Sequence, residues 1–72
     1  VKPHLTKRSF TLAGHRTSVA LEPEFWLVIE SAAATRGISL AALVGELDAA
    51  RAETGAPLAS TLRVFALRSV VG

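Results

Sequence analysis

The spacing of apolar residues changes period along this chain. From Arg16 to Leu21 it alternates, with Thr17, Val19 and Leu21 on one side and Arg16, Ser18 and Ala20 on the other, which predicts a short strand. Just before it, Lys7–Leu12 allows an extended segment with Phe10 and Leu12 on one side and Ser9 and Thr11 on the other. Ala13-Gly14-His15 breaks the two apart, because glycine admits backbone angles other residues avoid. Residues 1–6 read as a loose terminus. One short strand cannot stand alone. Its partner is either Lys7–Leu12 folded back as a hairpin or the same strand from a second copy.

After Leu21 the period becomes helical. Glu22-Pro23-Glu24 is a helix start, since proline suits the first helical position and acids favour the positive helix end. The helix runs to about Arg36, where Gly37 is placed to cap it. Phe25, Trp26, Ile29, Ala32 and Ala33 share its apolar arc with Val28 at the edge, while Leu27 falls on the polar side. Ser39 is the expected N-cap of a second helix, with Ile38 able to pack on Leu43 as a hydrophobic staple. Leu40, Leu43, Val44, Leu47 and Ala50 form that helix's inner arc, and it ends near Thr54-Gly55. A third helix spans about Leu58 to Val71, with Leu58, Leu62, Phe65 and Ala66 inward. No repeat stands out. The fold class is α+β and mostly helical.

Composition changes this picture in one respect. At 72 residues, with no cysteine, no methionine and half the residues hydrophobic, a single-chain core is marginal and no disulfide can staple it. Association with a second copy is the usual remedy. No uncharged apolar run approaches the ~18–20 residues of a membrane span. The charge is +2 overall but unevenly placed: +4 over residues 1–20, from Lys2, Lys7, Arg8 and Arg16; −4 over residues 21–53; and +2 over residues 54–72. A basic arm ahead of an acidic body points to a polyanionic partner for the arm.

Candidate chemistry narrows the choice by what it lacks. No nucleophile is spaced with a base and an orienting group, no glycine-rich loop cradles phosphate, and no carboxylate pair has a pocket, so no enzyme is expected. His4 and His15 sit on the basic segment without further ligands, and neither metal nor cofactor is expected. Ala33, Gly37, Ile38 and Ser39 also fit the corner of a helix-turn-helix. There, however, the second helix would present Ala41, Ala42, Gly45 and Glu46, none of which donates to a base. Gly45 inside a helix marks either a close approach or nothing.

Strand, proline-started helix, Gly-Ile-Ser corner and second helix together resemble the ribbon-helix-helix DNA-binding family. The resemblance runs from Arg16-Thr-Ser-Val-Ala-Leu-Glu-Pro-Glu-Phe-Trp through Gly37-Ile-Ser-Leu-Ala-Ala-Leu-Val. It covers Arg16 to Asp48, and Lys7–Ser18 is similar to a bacterial subgroup with a basic arm. It implies an intertwined homodimer in which two chains share an antiparallel two-stranded ribbon, able to pair further into tetramers. Residues 1–15 would then be the basic arm, 16–54 the ribbon-helix-helix core and 55–72 an additional C-terminal helix. By the family's logic Val19, Leu21, Phe25, Trp26, Ile29, Leu43, Val44 and Leu47 form the dimer core. Arg16, Ser18 and Ala20 would read base edges of double-stranded DNA in the major groove. Ser39 and Leu40 would hold phosphate at a helix start, and Lys7, Arg8 and His15 would follow the DNA backbone.

What the resemblance implies is a cytoplasmic transcriptional regulator of bacterial type. The reading face departs from that picture, because Ala20 offers no more than a methyl contact. If Lys7–Leu12 instead forms a second strand covering the ribbon, the face is no longer free for DNA. The competing reading is therefore a protein-interaction module or antitoxin that keeps the fold with little or no DNA binding. Leu27, the acidic body and the third helix are what favour it.

Overall fold

The computed structural model describes residues 4–71; Lys2, counted above in the basic segment, lies outside them. Five elements follow in order: β1 (Thr6–Leu12), β2 (His15–Leu21), α1 (Pro23–Arg36), α2 (Leu40–Arg51) and α3 (Leu58–Val71). The strand's partner is the hairpin alternative, β1 of the same chain. β1 and β2 pair antiparallel, with Ser9 opposite Ser18, Lys7 opposite Ala20 and Thr11 opposite Arg16. The two-residue turn carries Ala13 at φ 51° and Gly14 at φ 83°. Positive φ at both central residues is the mark of a type I′ turn, whose twist matches that of the strands it joins.

A second strand lying over the ribbon would take its outer face away. Instead β1 lies beside β2 along the hydrogen-bonding edge, so it widens that face and leaves it open. The reason is geometric: antiparallel pairing joins strands edge to edge about 4.8 Å apart and leaves both faces of the ribbon to the side chains.

The helix boundaries follow from the end signals. Pro23 opens α1, and Gly37 closes it in the left-handed conformation at φ 71°. The Gly37 amide donates to Ala34 O and that of Ile38 to Ala33 O, both at 3.0 Å, which satisfies the last carbonyls in a Schellman arrangement. Between α1 and α2 the chain bends by 101°. The Ser39 hydroxyl then accepts the Ala42 amide at 3.0 Å, as an N-cap should. α2 stops at Arg51, earlier than expected, because the Thr54 and Gly55 amides both turn back to Arg51 O at 2.9 Å. Ala50, expected inward, is exposed: the apolar stripe ends at Leu47, and the last turn instead holds Arg51 against Asp48 and the Ala56 carbonyl.

The core lies between the inner face of the ribbon and the three helices. Phe10, Leu12, Val19 and Leu21 enter from the strands, Trp26, Ile29 and Ala33 from α1, Leu43 and Val44 from α2, and Leu58, Leu62 and Ala66 from α3. No polar or charged residue is buried among the described residues. Gly45 faces this core, where an added Cβ would meet Leu12 Cδ2 at 3.9 Å, an ordinary contact. Its φ is not positive, so nothing in the backbone requires glycine. Gly45→Ala is therefore expected to stabilise the protein by up to about 1 kcal/mol through helix propensity. A urea melt would check this, and a lower midpoint would mean that the ribbon cannot yield the space.

Candidate nucleic-acid interface

Strand parity divides the ribbon's side chains. On the outer face stand Lys7, Ser9 and Thr11 from β1 and Arg16, Ser18 and Ala20 from β2, arranged as the pairs Lys7–Ala20, Ser9–Ser18 and Thr11–Arg16. All are exposed except Ala20, which is half-buried, and the two serine hydroxyls lie 2.9 Å apart. Neither strand contains an acid. Arg16, Ser18 and Ala20 thus share one open face, as expected. Ser9 and Thr11 are the residues the sequence reading missed, although they have the same parity as Lys7.

Arg8 points the other way. It stands on the inner side of β1, in register with Val19. Its guanidinium donates to the Glu30 carboxylate and lies over the Trp26 ring at 5.2 Å from the centroid. The indole N–H of Trp26 donates to Thr6 O at 2.7 Å, so α1 holds β1 both by side chain and by backbone.

The remaining cations sort in the same way. Arg36 pairs with Glu46, Arg51 with Asp48 and Arg63 with Glu22. Among the described residues Lys7 and Arg16, together with Arg68 on α3, have no carboxylate partner. The arginines that tie elements together are neutralised in place, whereas the ribbon's outer cations keep their charge for solvent or a ligand.

His15 is exposed at the hairpin end, opposite Leu12. At the start of α2, Ser39 spends its hydroxyl on the Ala42 amide and its carbonyl on the Leu43 amide. That leaves the Leu40 and Ala41 amides as the helix's open donors, and the first turn carries no acid to compete for them. The residues assigned to a dimer core lie in the core of one chain. Val19, Leu21, Trp26, Ile29, Leu43 and Val44 are buried there, with Phe25 and Leu47 partly so.

Glu22, between β2 and α1, has its carboxyl held below the ordinary value of 4.5. A hydrogen bond from its own backbone N–H is the main cause, followed by Arg63; partial burial opposes both. Arg63 also lies over Phe25, at 5.8 Å from the ring centroid. A lowered carboxylate contributes stability above its ordinary range, and that contribution is lost as the pH falls through the folded value. The gap in melting temperature between the wild type and Glu22→Gln should therefore be present at neutral pH and shrink as the pH falls below the ordinary carboxylate range. A gap independent of pH would show that the ionised form of Glu22 contributes nothing.

The sequence model of the ribbon-helix-helix domain matches residues 5–70, from the start of β1 almost to the end of α3. The chain belongs to the ribbon-helix-helix family. Members of that family are generally DNA-binding transcriptional regulators or antitoxins and typically act as dimers, and the fold is not a catalytic one. No curated protein and no solved structure matches the chain. Among the described residues no single helix is long and apolar enough to cross a membrane.

Proposed function

We propose that this protein is a homodimeric transcriptional regulator that reads double-stranded DNA with the outer face of its β-ribbon, in the cytoplasm of a bacterial-type cell. The observation that carries the reading is the face itself, with unpaired cations at Lys7 and Arg16, hydroxyls at Ser9, Thr11 and Ser18, and no acid on either strand. A two-stranded ribbon fits a major groove about 12 Å wide. Arg16 donates its fork to guanine, and Ser18 exchanges a single hydrogen bond. Ala20 contributes a methyl contact. The Leu40 amide beside the Ser39 cap holds a phosphate, and Lys7 and His15 add charge along the DNA backbone. Arg8 would have to leave Glu30 to join them, so phosphate contact is assigned to the other groups.

A second reading has its own support. Between α1 and α3 runs an exposed apolar groove, lined by Leu27, Val28, Ala32, Phe65 and Val70. Leu27 is 66 % and Val70 65 % exposed. In the regulator this groove joins two copies; in an antitoxin or interaction module it would receive a different protein.

Titration of the purified protein against its own upstream DNA, with random competitor and across a salt series, tests the first reading. Binding that survives competitor, with affinity falling by about 0.9 log units per neutralised phosphate for each tenfold rise in salt, is the expected result. Absence of binding even at low salt would overturn it and leave the groove as the functional surface.

A further inference from the structure

α3 is apolar on two opposite sides, and one of them is uncovered. Its inner side buries Leu58, Leu62 and Ala66 where the helix meets β2, α1 and α2. On its outer side Ser60, Val64, Leu67 and Val71 follow at steps of four, three and four residues, which keeps them in one row along the helix. Val64 is 43 % exposed, Leu67 55 % and Val71 85 %, with Val70 beside the row at 65 %. Among the described residues only Leu5 and Leu27 are other large apolar residues so exposed, and Leu27 lines the same groove as Val70. Single exposed apolar side chains are ordinary, but four between Val64 and Val71 form a patch. α2 shows the alternative: its exposed positions are alanines and Glu46, and it turns no large apolar side chain outward.

We propose that a second copy of this chain covers the patch, with two α3 helices packed antiparallel along Val64, Leu67 and Val71 about a two-fold axis. This rests on the two-copy reading above and adds a contact on the side of α3 away from the ribbon, whatever pairing the ribbons themselves make. The row has the spacing by which one helix interlocks with another, so a helix is the shape that fits it. Area favours a copy of the same row. At these exposures the four side chains hold roughly 400–450 Å², within the ~300–600 Å² of the largest patch on a monomer. Doubled by a second copy and widened by the flanking residues, the contact reaches the ~1,000 Å² of a specific interface. Charge sets the direction. α3 carries Arg63 and Arg68 and no acid, and the two arginines flank the row on opposite sides. A parallel pair would set Arg63 of each chain against Arg68 of the other, the flanking contact where like charges repel. Turned antiparallel, Val64 meets Leu67 of the second copy and Ser60 meets its Val71. Arg68 then stands beside Thr61 of the second copy and Arg63 beside its Val70, so no cations face each other. The helix dipoles also oppose in that direction, which favours it.

Two measurements test this. The first compares the solution mass of the wild type with that of Leu67→Lys, by light scattering behind a sizing column. Leu67 is exposed and lysine is a good helix former, so the variant should keep the wild type's circular dichroism. Its mass is expected to be half that of the wild type. An unchanged mass in an assembly of two or more copies would overturn the proposal and leave the two-copy reading standing. A wild type of single-chain mass even at millimolar concentration would overturn both. The second measurement fixes the direction, and it is clean because the chain has no cysteine of its own. Val64→Cys and Leu67→Cys chains are unfolded, mixed, refolded together and oxidised. The mixture should form disulfide-linked pairs several-fold faster than either variant alone, because Cα atoms beyond about 7 Å are not bridged. If Val64→Cys links to itself as fast as the mixture does, the helices are parallel and the proposal fails.

Discussion

Trp26→Ala is expected to lose about 3–5 kcal/mol of stability, the usual cost of removing a buried large aromatic side chain. For a chain of 72 residues, at a typical stability of roughly 0.05–0.15 kcal/mol per residue, that is enough to unfold much of the population. Three contacts converge on the ring, which is 1 % exposed. Phe10 packs at 6.0 Å between centroids, the Arg8 guanidinium covers the ring, and the indole N–H holds the Thr6 carbonyl at the start of β1. The alanine variant thus loses core volume and the clasp that docks β1 on α1 together. Trp26→Phe separates them, since it keeps most of the apolar body and removes the hydrogen bond. Its expected cost is about 0.5–1.5 kcal/mol, with amide exchange rising first in β1. Circular dichroism is the appropriate probe of the denaturant melt, because the variant lacks the only tryptophan fluorophore. A loss below about 1 kcal/mol for the alanine variant would mean that the indole does not anchor the ribbon.

The legibility of the fold differs sharply between its halves. From Arg16 onward most boundaries were readable because each has a local cause, the end of α2 at Arg51 being the exception. Strand parity places Val19 and Leu21, Pro23 opens α1, Gly37 closes it and Ser39 caps α2. β1 was ambiguous for a non-local reason. Its inner row runs Arg8, Phe10, Leu12, and the arginine spoils an otherwise apolar alternation. What makes an arginine acceptable there is Glu30 and Trp26, both on α1, and no window along the chain could show that pairing. The same obstacle hid how the ribbon's charges divide between its two faces. Lys7 and Arg8 were grouped as adjacent charges of one arm, whereas neighbours on a strand point to opposite faces. The parity that sets Ser9 and Thr11 opposite Phe10 and Leu12, carried back two more residues, would have put Lys7 with the former and Arg8 with the latter. The outer face would then have gained residues from β1, where counting β2 alone left it sparse.

Arg16→Ala is expected to lower affinity for the specific site by about 1–3 kcal/mol, roughly fivefold to a hundredfold, while leaving the melting temperature unchanged. Both parts follow from where the side chain stands. Arg16 is exposed on the ribbon's outer face and has no carboxylate partner, so its removal breaks no ion pair and strands no buried group. Its neighbour across the ribbon is Thr11, whose short side chain leaves the guanidinium free to extend into a groove. The loss should be concentrated in sequence preference: affinity for random DNA falls only by the contribution of one charge, and the salt slope drops by about one unit at most. Two companion variants give the contrast. Arg68→Ala also removes a cation without an ion pair, but from α3, and should leave specific affinity intact. Arg8→Ala breaks the bond to Glu30 and uncovers Trp26, so it should lower the melting temperature more than it alters base preference. Equal affinity of Arg16→Ala and the wild type for the specific site would remove β2 as the base-reading strand, because no other group on it could supply a two-bond contact to guanine.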